Sequence, residues 1–178
     1  MLDEARRKFQ GAVPLHEADI RELPVFGKFE LVLALNDVVN YLLEDGDLER
    51  ALLAMRSNLA PNGLILFDTN TLGAFHWISS VETEIEIRDE WEWRGLTQRV
   101  APGGIFDSRI SGPGVETHIH RERHYAVEEI QDAIEAAGMR TLATFGQQEI
   151  DDRVVLSDDP DETRDHKIIH ICRQRGQG

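Results

Sequence analysis

FELVLALNDVVNYL, residues 29–42, holds an almost unbroken apolar run from Phe29 to Leu35 and then breaks on Asn36-Asp37. A strand buried on both faces reads this way, whereas a half-exposed strand alternates. Working outward, DLERALLAMRSNLA (47–60) sets Leu48, Leu52, Met55 and Leu59 on one helical stripe. Asp47 stands where an N-cap belongs, and Pro61-Asn62-Gly63 is placed to stop the helix. GLILFD (63–68) follows as a second buried strand. Strand, helix, strand with apolar strands is the grammar of a parallel α/β sheet. Upstream, MLDEARRKF reads as a helix with no N-cap or preceding turn, and AVPLHEADI as a short strand ending near His16.

The pattern changes after residue 80. TEIEIRDEWEW alternates, with Ile85 and Ile87 on one face and the acids mostly on the other. Turn signals recur at Pro102-Gly103-Gly104 and Gly112-Pro113-Gly114, and the runs between and after them, IFDSRIS and VETHIHRERHYA, are strand-like. The spacing predicts an antiparallel meander of about four strands, residues 81–125, inserted into the α/β unit. VEEIQDAIEAAG (127–138) returns to helix, with Ile130, Ala133, Ile134 and Ala137 inward and Gly138 as its cap. RTLATFG is a strand, DDRVVLSDDPDETRD an acidic loop, and HKIIHICR (166–173) the last strand, a hairpin closing one sheet edge.

Composition narrows the function. The 178 residues carry 19 Lys+Arg against 33 Asp+Glu, a formal charge of −14. A balance so acidic excludes a phosphate-backbone binder, whose affinity rests on clustered bases, so no nucleic acid is expected. The one cysteine, Cys172, allows neither an intrachain disulfide nor a Cys-based zinc site, and it reads as a small buried apolar residue. No apolar run is long enough to span a membrane, and the first ten residues hold no signal-peptide core. The expectation is a soluble, acidic, cytoplasmic domain.

Four segments together resemble class I S-adenosylmethionine-dependent methyltransferases, in the small-molecule subgroup with a β-insert after the fifth strand. They are HEADIRELP (16–24), FELVLALNDVVNYL (29–42), ALLAMRSNLAPNGLILFDTNT (51–71) and EEIQDAIEAAGMRTLATFG (128–146). The resemblance implies a Rossmann-like sheet ordered 3-2-1-4-5-7-6, with S-adenosylmethionine as cofactor and a small molecule as substrate. The family's Gly-rich loop after its first strand, and the acid ending its second, are not found: no GxGxG occurs in the chain. The opening helix looks like the one after the family's second strand, roughly 40–50 residues into such a protein. The expectation is therefore a single partial domain, 1–178, without the first two strands, binding cofactor weakly or not at all. Either AVPLH docks beside FELVLAL, or an open edge is left for a partner. A homodimer through the insert or that edge follows. So does a rival reading, a non-catalytic α/β module that dimerises or binds a partner.

The resemblance also assigns residues. Asp19-Ile20 would bracket adenine, the carboxylate accepting from its amine; the alternative is that Asp19 caps a turn toward Leu23. Leu35-Asn36 would line the cofactor with backbone, at the carboxyl end of a strand where open α/β sheets place ligands. Asp37, Asn40 and Tyr41 would face substrate, with core packing the alternative for Tyr41. Asp68 and Asn70, at the next strand exit, are also substrate-facing candidates, or caps of the following turn. Methyl transfer needs alignment and a base for the attacking group. His76 is the candidate for that role, since histidine titrates near neutrality, against the alternative of a surface residue. His118, His120 and His124 share a strand face that could chelate a metal, but Arg121 and Arg123 between them disfavour a cation, so no metal is assigned and they read as a cross-strand polar face or as substrate-facing lid residues. Trp77, Trp91 and Trp93 are assigned to packing of the insert or an interface.

Overall fold

The computed structural model describes residues 2–80, 85–87, 91–151 and 153–176. Helix α1 (Leu2–Phe9) leads through an irregular stretch and a 3₁₀ turn (Ile20–Glu22) to strand β1 (Phe29–Ala34). A second 3₁₀ turn (Val38–Tyr41) precedes α2 (Asp47–Ser57), β2 (Leu59–Asn70) and α3 (Leu72–Ser80). Then come β3 (Ile85–Ile87), β4 (Trp91–Gly95), β5 (Ile105–Gly112) and β6 (Val115–Arg123). Helix α4 (Val127–Ala136) and strands β7 (Met139–Ile150), β8 (Arg153–Ser157) and β9 (Lys167–Gln174) complete the chain.

The main sheet runs β1-β2-β9-β7-β8, with β1 parallel to β2 and the other pairs antiparallel. Its first four strands follow the 4-5-7-6 run that the resemblance implies, and β8 is added outside. The second sheet is antiparallel in chain order, β3-β4-β5-β6. Helices α2 and α4 cover one face of the main sheet. Their inward stripes, Leu48, Ala51, Leu52 and Met55 with Ile130 and Ile134, meet Ile65, Phe67, Met139 and Cys172 from the strands. Burial of these side chains on a helical period is what selects helix over the neighbouring strand grammar. A smaller core of Phe75, Ile78, Val100 and Phe106 seats the second sheet on α3.

The other face of β1 is open. Leu31 and Leu33 are 50% and 51% exposed, and among the described residues β1 has β2 as its one neighbour in the sheet. AVPLHEADI, read as a strand, forms none: residues 12–19 are irregular, and His16 instead stacks on Phe26 with centroids 4.5 Å apart. With no ladder to join, an extended segment does not become a strand.

Other expectations are corrected in detail. Gly46, at φ 81°, is the N-cap of α2, and Asp47 lies in its first turn, bonded to Arg21 and Arg50. The helix ends at Asn58, before Pro61-Asn62-Gly63, which sit inside β2 as a bulge. Phe29 pairs with Leu59 but Leu31 with Leu64, so the extra residues loop out. A Cβ on Gly63 would come within 2.8 Å of the Phe29 carbonyl, which is why glycine stands there. TEIEIRDEWEW divides between β3 and β4, and the face presented by Ile85 and Ile87 lies outside the described residues. The acidic loop contains β8, and the last strand inserts between β2 and β7 rather than at an edge. Gly138 does follow α4 in the left-handed conformation, at φ 68°.

The two faces of the sheet predict opposite mutational costs. Phe67→Ala, in the core, should lower the unfolding free energy by about 3–5 kcal/mol in urea titrations. Leu33→Ser, on the open face, should change it by no more than about 0.5 kcal/mol. A large loss at Leu33 would mean that face is covered.

Candidate functional site

The site begins where β1 and β2 end side by side. Asn36 and Asp37 both take positive φ, 62° and 55°, a region that Asn and Asp tolerate better than other side chains. This turn aims two backbone N–H groups at one carboxylate: Asn36 donates to Asp68 Oδ2 at 3.2 Å and Asp37 to Oδ1 at 3.0 Å. Lys167, at the start of β9, donates from Nζ to Asp37 Oδ1 and Asp68 Oδ2, each at 2.9 Å. Burial alone would lower the lysine pKa, but its bonds to Asp68 and Asp37 outweigh that and hold it above the usual value.

The 3₁₀ turn that follows puts Asn40 inward and Tyr41 outward. Asn40 is fully buried, donating from Nδ2 to the Arg123 carbonyl at 2.8 Å and accepting from the Asn70 N–H at 3.0 Å. Asn70 in turn donates from Nδ2 to Glu122 Oε2 at 2.7 Å. Glu122, on β6, is 3% exposed. Burial pushes its pKa up to about 7, with Asp37 adding to the rise and Asn70 and Lys167 opposing it. Tyr41 Oη lies 2.9 Å from His120 Nδ1. Burial, then the charges of Glu122 and Asp37, push the phenol up to about 12.

These groups surround a cavity of about 410 Å³ between the sheets. Asp37, Tyr41 and Asn70 line it from the main sheet side, Ser108, His120 and Glu122 from the second sheet, and Trp77 and Trp93 supply aromatic walls. A neighbouring cavity of about 510 Å³ is lined by Asp19, Ile20, Val38, Leu42 and Asp47. Tyr41 lines both cavities.

Of the residues singled out in the sequence, Asp37, Tyr41 and Asn70 reach the first cavity, and Asp19 and Ile20 the second. Asp68 and Asn40 hold the walls in place from behind. Leu35 lies past the end of β1 with its side chain exposed. Asp19 does cap the 3₁₀ turn, accepting from the Arg21 N–H at 2.9 Å. Its carboxylate also takes the Arg21 guanidinium, and these side-chain and backbone bonds lower its pKa to about 2. His76 does not line either cavity: it is exposed on α3, and its Nε2 donates to the Val100 carbonyl at 3.0 Å.

Two of the β6-region histidines have separate partners. His124 accepts from the Gly103 N–H at Nδ1 and donates from Nε2 to Glu162, while His120 takes Tyr41. Among the described residues no cluster of His, Cys, Asp or Glu has the makings of a metal site. Trp77 stacks on His166 at 5.7 Å, and the Trp91 side chain lies outside the described residues. Cys172 is buried, its thiol pushed up to about 12 by that burial.

Glu122, Ser108 and Lys167 are the site residues the sequence reading missed, while His120, singled out there among the strand histidines, does reach the cavity. His118, His120 and Glu122 alternate along one strand, so the period-2 pattern that placed the histidines also places the acid beside them.

No protein-family model and no curated protein sequence matches the chain. Solved structures match in fold. An S-adenosylmethionine-dependent methyltransferase from Clostridium acetobutylicum is 23% identical, covering 98% of this chain and 71% of that one, with a TM-score of 0.74. The CcbJ methyltransferase from Streptomyces caelestis is 16% identical over 98% and 75%, at 0.67. CalS10, an amino pentose methyltransferase from Micromonospora echinaspora solved with S-adenosylmethionine bound, is 18% identical over 98% and 70%, at 0.62. The chain thus has the fold of the class I S-adenosylmethionine-dependent methyltransferases.

The buried acid predicts a pH dependence. Glu122 keeps its proton in the fold up to about pH 7, whereas the unfolded side chain loses it near 4.5. The unfolded chain then binds fewer protons, so this residue makes stability fall as pH rises through that window. Each pKa unit is worth about 1.4 kcal/mol, giving a loss of up to about 3 kcal/mol. Glu122→Gln keeps an oxygen for Asn70 and removes the titration. Urea titrations across the window should show the wild type losing stability that the variant retains. Equal slopes for the two proteins would contradict the burial of a protonated acid.

Proposed function

We propose that the chain is the larger part of a small-molecule methyltransferase using S-adenosylmethionine, with the second cavity for cofactor and the first for substrate. The observation that carries this reading is Tyr41, which lines both cavities. A displacement needs donor and acceptor in line across one point, and Tyr41 occupies the meeting point of the two spaces. The fold supports the cofactor, and the amino pentose methyltransferase among the neighbours supports a hydroxylated amine or similar N- or O-nucleophile as substrate.

The residues of the second cavity fit the adenine end of the cofactor. Ile20, Val38, Leu42 and Leu43 give apolar walls, and Asp19 gives an acceptor for an exocyclic amine. Arg21, which also bonds Asp47 at 2.9 Å, has to yield one Asp19 oxygen for that role. Leu35 and Asn36 would pass the cofactor by their backbone. When bound, the cofactor supplies an activated methyl group on a sulfonium.

The chain's part is to bind, orient and take a proton. Tyr41 stays protonated, so it acts as a hydroxyl, accepting from the attacking group while its own O–H points at His120 Nδ1. His120 receives the proton, and the carboxylate of Asp37 in the same lining favours cationic character in the cavity. In this reading His120 rather than His76 is the base, because His120 lines the cavity. Strands β4 to β6 of the second sheet roof the substrate.

The free edge of β1 supports a further part of the reading: a Gly-rich strand–loop–helix segment would pair there and close the cofactor cavity. Without it the chain holds cofactor poorly. A second reading, a homodimerising or partner-binding module, rests on the exposed Leu31 and Leu33 and on Val154 and Leu156 of β8. Light scattering that finds a dimer indifferent to cofactor would favour it.

Calorimetric titration with S-adenosylmethionine should give a Kd weaker than about 100 µM, or about 5.5 kcal/mol of binding free energy at most. Micromolar binding would overturn the need for a further segment. At saturating cofactor, His120→Ala should cut methyl transfer by about 10²–10⁴-fold while His76→Ala leaves it unchanged. The reverse order would return the role of base to His76.

A further inference from the structure

Ser108 sits in the middle of β5, opposite His120 on β6 and Gly95 on β4. It is fully buried and lines the substrate cavity, yet its Oγ has no hydrogen-bond partner. The polar groups beside it are already engaged, His120 with Tyr41 and Glu122 with Asn70. Among the described residues three arginine Nε atoms, of Arg109, Arg123 and Arg173, are also buried without partners, but none of those residues lines the cavity. A buried hydroxyl without a partner costs free energy, and an alanine of nearly the same shape would not. A serine kept in such a place is explained by a group that arrives with the ligand.

We propose that Ser108 is a specificity residue of this cavity, selecting a ring substrate that carries a hydroxyl over the same ring without one. The claim rests on the first cavity being the substrate site. A serine hydroxyl both donates and accepts, so it matches an alcohol, which also does both. Trp77, Trp93 and Ile110 offer apolar surface to a ring face, and Ser108 then meets a substituent on the ring's rim. A ring lacking the hydroxyl would leave Ser108 buried and unpaired, and that is the penalty that discriminates.

Glucosamine and cyclohexylamine share a six-membered ring and an amine and differ in the ring oxygen and hydroxyl groups, so they serve as probes, with affinities read by NMR titration of the full chain. Wild type should bind glucosamine about tenfold more tightly. Ser108→Ala should remove most of that preference by weakening glucosamine alone. The same variant, free of ligand, should melt about 2–4 °C higher, because the unpaired hydroxyl is gone. A lower melting temperature would show that the hydroxyl serves the fold and would overturn the proposal, as would an unchanged preference. A wild type that binds both amines equally would remove the role of Ser108 but leave the cavity as an amine site. Binding of neither amine by wild type would remove the cavity's reading as an amine site and the proposal with it.

Discussion

The carboxylate of Asp68 is the point on which the site depends. It receives two backbone N–H groups from a left-handed turn and an ammonium from a strand nearly a hundred residues later. Those bonds fix the exit of β1, and the exit fixes where Val38–Tyr41 turns. From that turn, Asn40 reaches in to Arg123 and Asn70, and Tyr41 reaches out to His120. The second sheet is thereby attached to the first through polar contacts, and the space left between the sheets is the cavity. Lys167 offsets part of the charge of Asp37 and Asp68, so the acids can sit together at a half-buried strand end.

The burial of Glu122 follows from the same attachment. Its strand carries it over Asn70, and low polarisability around it keeps its proton to about pH 7. Tyr41 is held neutral for related reasons. The cavity therefore sets the neutral Tyr41 phenol and the Glu122 carboxyl beside the paired Asp37 and Lys167 under aromatic walls, a suitable lining for a hydroxylated ring. By contrast, β1 exposes Leu31 and Leu33 and, among the described residues, pairs with β2 alone, and its exit leads into Val38 at the second cavity.

The sequence made the main elements legible wherever burial follows a period. β2, α2, α4 and β9 show in apolar runs or stripes, because their side chains are the core; β1 shows the same run, but the burial on both faces expected from it is not found, since Phe29, Leu31 and Leu33 are about half exposed. It did not show that AVPLH lacks a ladder to join, since an extended pattern says nothing about a neighbour. Nor did it show that Pro61-Asn62-Gly63 bulge from a strand instead of ending a helix, since the same residues serve both. In the site, Asp37, Tyr41 and Asn70 were legible from their place at strand exits. Glu122 was not, because its burial arises when β6 docks over residues 36–41, a contact between segments some eighty residues apart. His76 drew attention by residue type and by following the FDTNT strand exit, while its orientation depended on the Val100 carbonyl.

Amide spectra of the isotopically labelled chain, titrated with S-adenosylhomocysteine to several millimolar, test the central assignment most directly. Shifts should gather in residues 18–21 and 38–44, around the second cavity, with weaker ones at the neighbouring strand exit. Shifts confined to β8 or the second sheet, or none at all at that concentration, would contradict the placement of the cofactor beside Tyr41.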